Sequence, residues 1–498
     1  MTHHENDPRR VEEVSRRGFF ERVGGGFSAI ALAAMLNDDC LSGALAAEPS
    51  AAGSGAKANR ALDLHARPPH FAPRAKAVIH LFMNGGPSQV DLFDPKTQLD
   101  RHHGEAYFDK IAGEVENPTE AGALMRSPFK FAQHGRCGMW ISDAMPHLAE
   151  CADEITVIRS MHTVNITHEP AIFKILNGRM LPGYPSLGSW ITYALGTENQ
   201  NLPAYVVLDD PKALPVNGTQ NWQSGFLPPI YQGTRFRSVG APVLDLQQAY
   251  DQPDEITALQ KNLLASLDRW HQQQRPYQPR LDARIASYEL AARMQLSAVD
   301  ALDLEQESEA TRRMYGIGQE PTDSYGRRCL MARRLIERGV RFVQLFIDGQ
   351  IWYNHSHIAK TLKTACDRTD QPAAALLKDL KQRGLLDETL VLWGGEMGRL
   401  PIAQLRGGKT DATAGRDHNK RAMCAWMAGG GVKAGFTFGT TDELGFAAME
   451  NPVGVTAWHA TVLHLLGLDY AKLNFPRNGL NERLTGVQPT QVIQEILA

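Results

Sequence analysis

The sequence predicts an α/β fold, a mostly parallel sheet covered by helices on both faces, on three observations. Short apolar runs recur along the chain, among them Ala77–Met83, which stops at Asn84-Gly85-Gly86-Pro87. Helical patterns lie between successive runs, the rhythm of parallel strands joined by crossovers. The run Thr389-Leu390-Val391-Leu392-Trp393 ends in Gly394-Gly395-Glu396-Met397-Gly398-Arg399. At such strand-to-loop junctions α/β proteins place their ligands. A chain of 498 residues, 43% hydrophobic and 21% charged, has ample material for the core. Its net charge of −3 implies no nucleic-acid partner.

The elements follow in order. Ser15-Arg16-Arg17-Gly18-Phe19-Phe20 reads as a twin-arginine export signal, so the export machinery is an expected partner and a periplasmic or extracellular site the expected destination. The apolar run Val23 to Leu36 is too short and glycine-rich for a stable membrane span. The signal is expected to end at residue 46, and 47–74, rich in Ala, Gly, Ser and Pro, to be a flexible linker. Strands are expected at Ala77–Met83, Ile155–Arg159, Ala204–Leu208, Val340–Ile347, Thr389–Trp393 and Met423–Met427. A helix is expected over Pro372–Arg383, stopped by Gly384. Asp254 to Met314 has no strand signal. Ile256, Leu259, Leu263, Leu264, Leu267 and Trp270 fall at helical spacing, the pattern repeats over Arg280–Leu296, and Pro276 and Pro279 break the two apart. A helical hairpin inserted at 252–316 is expected, packed over the sheet or serving as a lid. The five cysteines after Cys40 show no CxxC spacing, which argues against a disulfide framework or zinc knuckle.

Several residues are candidates for chemistry. Glu396 follows a strand and sits between glycines, so it reads as a metal ligand or as an exposed loop glutamate. Asp417 and His418 in Gly415-Arg416-Asp417-His418-Asn419 precede an apolar run and read as a site pair. Arg399 and Arg416 offer guanidinium groups that match ester oxygens in a bidentate manner, or are surface arginines. Asp91 and Asp94 lie in a turn region and serve as ligand, cap or turn former, with Asp91 favoured. His459 and His464 sit in a helical stretch ending at Gly467.

The motifs Gly394–Arg399, Gly415–Asn419, Met427-Ala428-Gly429-Gly430-Gly431, His459 to Gly467 and His80-Leu81-Phe82-Met83-Asn84-Gly85-Gly86-Pro87 through Lys96 together resemble domain-of-unknown-function family 1501. That family is abundant in planctomycete-like bacteria and is grouped with the alkaline phosphatase and sulfatase superfamily. The resemblance covers residues 75 to 495 and implies an alkaline-phosphatase-like α/β/α sandwich over 75–498. It also implies departures. Asn84 stands where catalytic relatives have an aspartate, Met397 where they have histidine or asparagine, and Tyr353 in Trp352-Tyr353-Asn354-His355 where relatives have aspartate; His355 keeps its matching position. The nucleophile region corresponds to Met161–Pro170, where Thr167 would be the nucleophile or an ordinary N-cap. The sulfatase Cys-x-Pro-x-Arg signature is absent.

Rival motifs fail. There is no G-x-S-x-G elbow, no P-loop and no dinucleotide fingerprint, and His168-Glu169-Pro170 lacks the second histidine of a zincin helix. The implied function is metal-dependent hydrolysis of a phosphate or sulfate ester, a small molecule or a polysaccharide ester. Glu396, Asp417, His418 and His355, with Asp91, would hold a divalent cation (Ca, Mg, Mn or Zn). Thr167 or a metal-bound water would attack, and His168 or His459 would move a proton. The alternative is an exported pseudoenzyme that binds a sulfated or phosphorylated polymer.

Overall fold

Six consecutive apolar or histidine residues, Ala77–Phe82, form strand β1, buried on both faces. The computed structural model describes residues 64–238, 253–276, 278–405 and 411–498. The export signal and most of the expected linker lie outside them. The end of that linker does not: His70 N donates to Gly467 O and Arg74 N to Leu465 O, so residues 64–74 are fixed to the domain by backbone bonds.

The central sheet also contains β2 (Ile155–His162), β3 (Tyr205–Leu208), β4 (Thr234–Phe236), β5 (Phe342–Leu345), β6 (Thr389–Gly394), β7 (Met423–Ala428), β8 (Phe436–Phe438) and β9 (Val453–Gly454). Their order is β8-β2-β7-β6-β1-β5-β3-β4, with β9 also beside β2. All six expected strands are present. β4, β8 and β9 have three residues or fewer and leave no apolar run to read. Every pairing is parallel except those of β7, which runs antiparallel to β2 and β6.

Helices cover both faces. They are α1 (His168–Asn177), α2 (Leu187–Leu195), α4 (Pro279–Leu302), α5 (Asp323–Glu337), α6 (Ile358–Gln382) and α7 (Val455–Leu465); α3 (Asp254–Gln274) comes between α2 and α4 in the sequence. Successive strand side chains alternate between faces. Ile79 and Leu81 join a core with Leu330 and Cys329 of α5 and Leu376 of α6. Val78 and Phe82 join another with Ile172 of α1, Trp190 of α2 and Val462 of α7. The result is an α/β/α arrangement.

The expected hairpin segment is two helices, α3 and α4. They fall in different compact units: α3 belongs to a separate one, and α4 to the unit that holds the sheet. The helix expected to start at Pro372 instead starts at Ile358 and runs through the proline. An internal proline costs about 3 kcal/mol. Burial of Leu362, Ala365 and Cys366 before it and Leu376, Leu377 and Leu380 after it offsets that cost.

Strand direction positions the site. β1, β2, β5 and β6 all end at one edge of the sheet. Because β7 is reversed, its beginning lies at that same edge: Met423 pairs with Met161 near the end of β2, and Ala425 with Gly394 at the end of β6. His418, just before β7, is thereby delivered beside residues that follow the parallel strands.

Candidate metal centre

Five segments meet at this edge. β1 continues into Asn84-Gly85, β2 into the loop that ends at His168, β5 into Trp352–His355, and β6 into Glu396–Arg399. The fifth is the approach to β7, Gly415–Asn419. Backbone ladders lock them. Arg399 pairs with His418, Leu400 N donates to Asp417 O at 2.8 Å, and Arg416 N donates to Asn354 O at 2.9 Å. Gly415 is required by close approach: a Cβ there would lie 2.1 Å from the carbonyl carbon of His355. Gly85 is required twice over, by its φ of +116° and because a Cβ would lie 2.7 Å from Tyr353 N.

Three imidazoles converge in the space so framed. His418 Nε2 lies 2.8 Å from His168 Nε2 and 2.9 Å from His355 Nε2. The other ring nitrogens face oxygens. His168 Nδ1 is 2.6 Å from Glu396 Oε1, and the Glu396 carboxylate is itself held by Gly85 N at 2.9 Å. His355 Nδ1 is bonded to Gln404 Oε1, while Gln404 Nε2 donates to Glu120 Oε2 at 3.1 Å. His418 Nδ1 has Glu116 Oε2 at 2.6 Å, close but without hydrogen-bond geometry, and Asp417 Oδ1 at 3.5 Å.

This pattern dictates protonation. In a neutral imidazole, an oxygen acceptor at Nδ1 puts the proton on Nδ1 and a lone pair on Nε2. That applies to His168 and His355, and Arg399 Nη1 accordingly donates to His355 Nε2 at 2.9 Å. His418 Nε2 can direct at most one proton toward one neighbour. At least one of the two short N···N contacts is then lone pair against lone pair, which a cation among the three nitrogens would convert into attraction. His168 and His418 are buried and His355 half-buried. Burial first, then the Arg399 charge, lowers His355 to about 3 and His418 further still, so both are neutral at ordinary pH. A second group, Glu116, Asp417 and His418, shares the last histidine.

Asn84 adds a further sign of a ligand. It is wholly buried at the end of β1, its Nδ2 donates to Gly349 O, and its Oδ1 finds no partner among the described residues. Tyr353 forms the outer wall: it is partly exposed, its ring lies 4.0 Å from that of His355, and the Arg399 guanidinium sits 5.5 Å from its centroid.

The other expected site residues are placed differently. Asp91 is not in the cluster; it forms a two-bond ion pair with Arg416, both fully buried, at 2.8 and 3.1 Å. Arg416 gives its remaining bonds to Leu400 O and Met125 O, so it is structural rather than open to an ester. Arg399 is equally committed: it donates to Gly86 O, Gly85 O, Trp352 O, Arg416 O and His355. Asp417 accepts from Glu116 N, Asn117 N and His418 N. Glu396 orients His168 rather than joining the three nitrogens. Thr167 is the N-cap of α1, exposed and without a side-chain cap bond. His459 is in the core of α7, with Nε2 2.8 Å from Ile175 O, and shares no bonding partner with the cluster.

His168 was expected as a proton carrier and instead completes the triad. Glu116 and Gln404 gave no signal in the sequence: Glu116 is a single polar residue in an irregular segment, and Gln404 ends a strand of only three residues. No described helix is long and apolar enough to cross a membrane.

A family model described as "Protein of unknown function (DUF1501)" matches residues 75–497. The chain belongs to this family. Among solved structures, this DUF1501 member is similar to the lipoteichoic acid synthase LtaP from Listeria monocytogenes, at 10% identity over 87% of this chain and 80% of that one, with a TM-score of 0.34. It is similar to the PsFucS1 sulfatase from Pseudoalteromonas sp., at 13% identity over 79% and 68% of the two chains, TM-score 0.33. It is also similar to alkaline phosphatase from the Antarctic bacterium TAB5, at 10% identity over 72% and 92%, TM-score 0.25. No curated protein matches the sequence.

Proposed function

We propose that this DUF1501 member is an exported, metal-dependent hydrolase of phosphate or sulfate esters, with the cation held by Nε2 of His168, His355 and His418. The convergence of three ring nitrogens, at least two with their lone pairs turned inward, carries the reading. Outer oxygens on Nδ1 are the usual companions of metal-binding histidines. Imidazole donors suit zinc and neighbouring transition metals; calcium and magnesium take oxygen ligands. Of the four expected cations, zinc therefore fits best, with manganese next.

A cation held by these three imidazoles would supply Lewis-acid polarisation of an ester oxygen. The chain's own groups supply the rest. Glu396 fixes the tautomer of His168, and Gln404 that of His355. Tyr353 shields the imidazoles from water on their open side, and Arg399 adds a fixed positive charge beside them. Export rests on Ser15–Phe20 and on the apolar run behind it.

A second reading, an exported pseudoenzyme that binds a sulfated or phosphorylated polymer, is favoured by one observation. Both candidate ester-binding arginines are consumed by backbone carbonyls, Asp91 and His355. Among the described residues, no hydroxyl or thiol hydrogen-bonds to the cluster.

Metal analysis of protein purified without chelator, followed by turnover of aryl phosphate and aryl sulfate, tests these readings. Bound zinc with turnover, both lost in His418→Ala, supports the hydrolase. Bound zinc without turnover supports the polymer-binding reading. No metal in the wild type, and no thermal stabilisation by added Zn²⁺ or Mn²⁺, defeats the hydrolase reading. Thr167→Ala separates mechanisms: turnover that survives removes Thr167 as nucleophile. Export is tested by changing Arg16 and Arg17 to lysine, which should retain the precursor inside the cell; unchanged appearance of the mature form outside would refute it.

A further inference from the structure

The segment Glu114–Glu120 does more than cover this edge. It is irregular, two short 3-10 turns at Ala112–Glu114 and Pro118–Glu120, and Glu116, Pro118 and Thr119 are exposed. Val115 is its buried apolar contact with a small satellite core. Its other fastenings run to the residues that carry or orient the triad. Glu114 pairs with Lys420 at 3.0 Å and Arg421 at 2.5 Å, just past His418. Glu116 N and Asn117 N donate to Asp417 Oδ2, and the Glu116 carboxylate stands 2.6 Å from His418 Nδ1. Glu120 O accepts from Leu405 N at 2.7 Å, and Glu120 Oε2 accepts from Gln404 Nε2.

The last bond matters most. An amide side chain can turn either its oxygen or its nitrogen toward a histidine. With Glu120 accepting from Gln404 Nε2, the amide oxygen is the end left for His355 Nδ1, and the His355 Nε2 lone pair faces the other two imidazoles. Without Glu120 the amide is free to rotate and to present N–H instead, which would move the lone pair to the wrong side of the ring.

We propose that Glu114–Glu120 is a strap that positions His355, Glu120 acting on it through Gln404, while its backbone N–H groups at Glu116 and Asn117 hold Asp417 beside His418. The strap and the cation are then coupled: ordering either one favours the other. These are positioning residues, and the inference rests on the metal reading above.

The test is Zn²⁺ affinity of the full chain, by competition with a chromophoric chelator, alongside the melting temperature of the metal-free protein. Glu120→Ala and Gln404→Met should each weaken Zn²⁺ binding about 10- to 100-fold, the usual effect of removing an outer partner of a ligand histidine. Glu120→Ala combined with Gln404→Met should be no worse than Gln404→Met alone, because the two act in series. Gln404→Met changes no charge, so a matching loss excludes simple removal of negative charge as the cause. Metal-free melting should stay near wild type, and Zn²⁺ should slow hydrogen exchange across residues 112–120 in the wild type but much less in Glu120→Ala. Wild-type affinity in both single variants overturns the strap while leaving the metal site standing. Multiplicative losses in the double variant overturn the series connection. A wild type that binds no Zn²⁺ overturns both the metal reading and the strap.

Discussion

Acidification should destabilise the fold through histidines buried in its core, and His459 offers the cleanest measurement. His459 in α7 and His80 in β1 are both excluded from solvent. Burial pushes each from the ordinary 6.5 down to about 3. Between those two values the unfolded chain takes up a proton that the folded chain refuses, so the unfolded state binds more protons. Stability therefore falls as pH drops below 6.5 and is unaffected by these groups above it. Each pH unit inside the window costs roughly 1.4 kcal/mol per histidine. The unfolded imidazoles are only half protonated at pH 6.5, so moving from pH 6.5 to 5.5 should cost about 2 kcal/mol for the pair, a sizeable part of the ~5–15 kcal/mol a domain commands. His355 and His418 are shifted the same way and steepen the wild-type profile, so the decisive quantity is a difference between proteins. His459→Gln keeps an N–H for Ile175 O and cannot titrate. Urea unfolding of metal-free wild type and variant at pH 7.5, 6.5 and 5.5 should show the variant's stability falling less steeply, by about 1 kcal/mol between pH 6.5 and 5.5 and by much less between 7.5 and 6.5. Parallel profiles would refute the assignment of His459 as a neutral core residue.

Two further outcomes follow from the geometry. Asp91→Asn leaves the Arg416 charge buried without its partner, so the urea midpoint should fall by an amount equivalent to ~3–5 kcal/mol, while replacing both residues with apolar ones of similar size should recover much of the loss. Gly415→Ala drives a methyl into the His355 backbone, which no side chain can relieve. Stability should fall by about 1–3 kcal/mol, and Zn²⁺ affinity should fall in the same protein, measured by chelator competition.

The strands were legible because burial on both faces leaves continuous apolar runs such as Val78–Phe82 and Leu390–Trp393. Their direction was not: hydropathy carries no polarity, and the reversal of β7 shows only in its pairing with β2 and β6. The same limit hid the start of α6, where Pro372 reads as a beginning although the apolar face on either side carries the helix through it. At the site, Glu396, His355 and His418 announce themselves by position after or before a strand. His168 could be seen but not given its role, because that depends on where three other segments arrive. Asp91 and Arg416 illustrate the converse. Each alone suggests chemistry, and only a contact across 325 positions reveals that they neutralise one another. Glu116 and Gln404 sit in segments without periodicity and could be found only through their neighbours.

Arg399 has a thermodynamic consequence. With every N–H engaged, its guanidinium cannot swing aside, and burial lowers its pKa only to about 10, so it stays charged at neutral pH. A cation entering beside His355 meets a permanent like charge and displaces the bond from Arg399 Nη1. An anion arriving at the same place is attracted by both. The two ligands are therefore linked, each raising the affinity for the other by the same factor. If the three imidazoles hold a cation, they would hold it more loosely when the site is empty of anion and more tightly when an anionic ester is present.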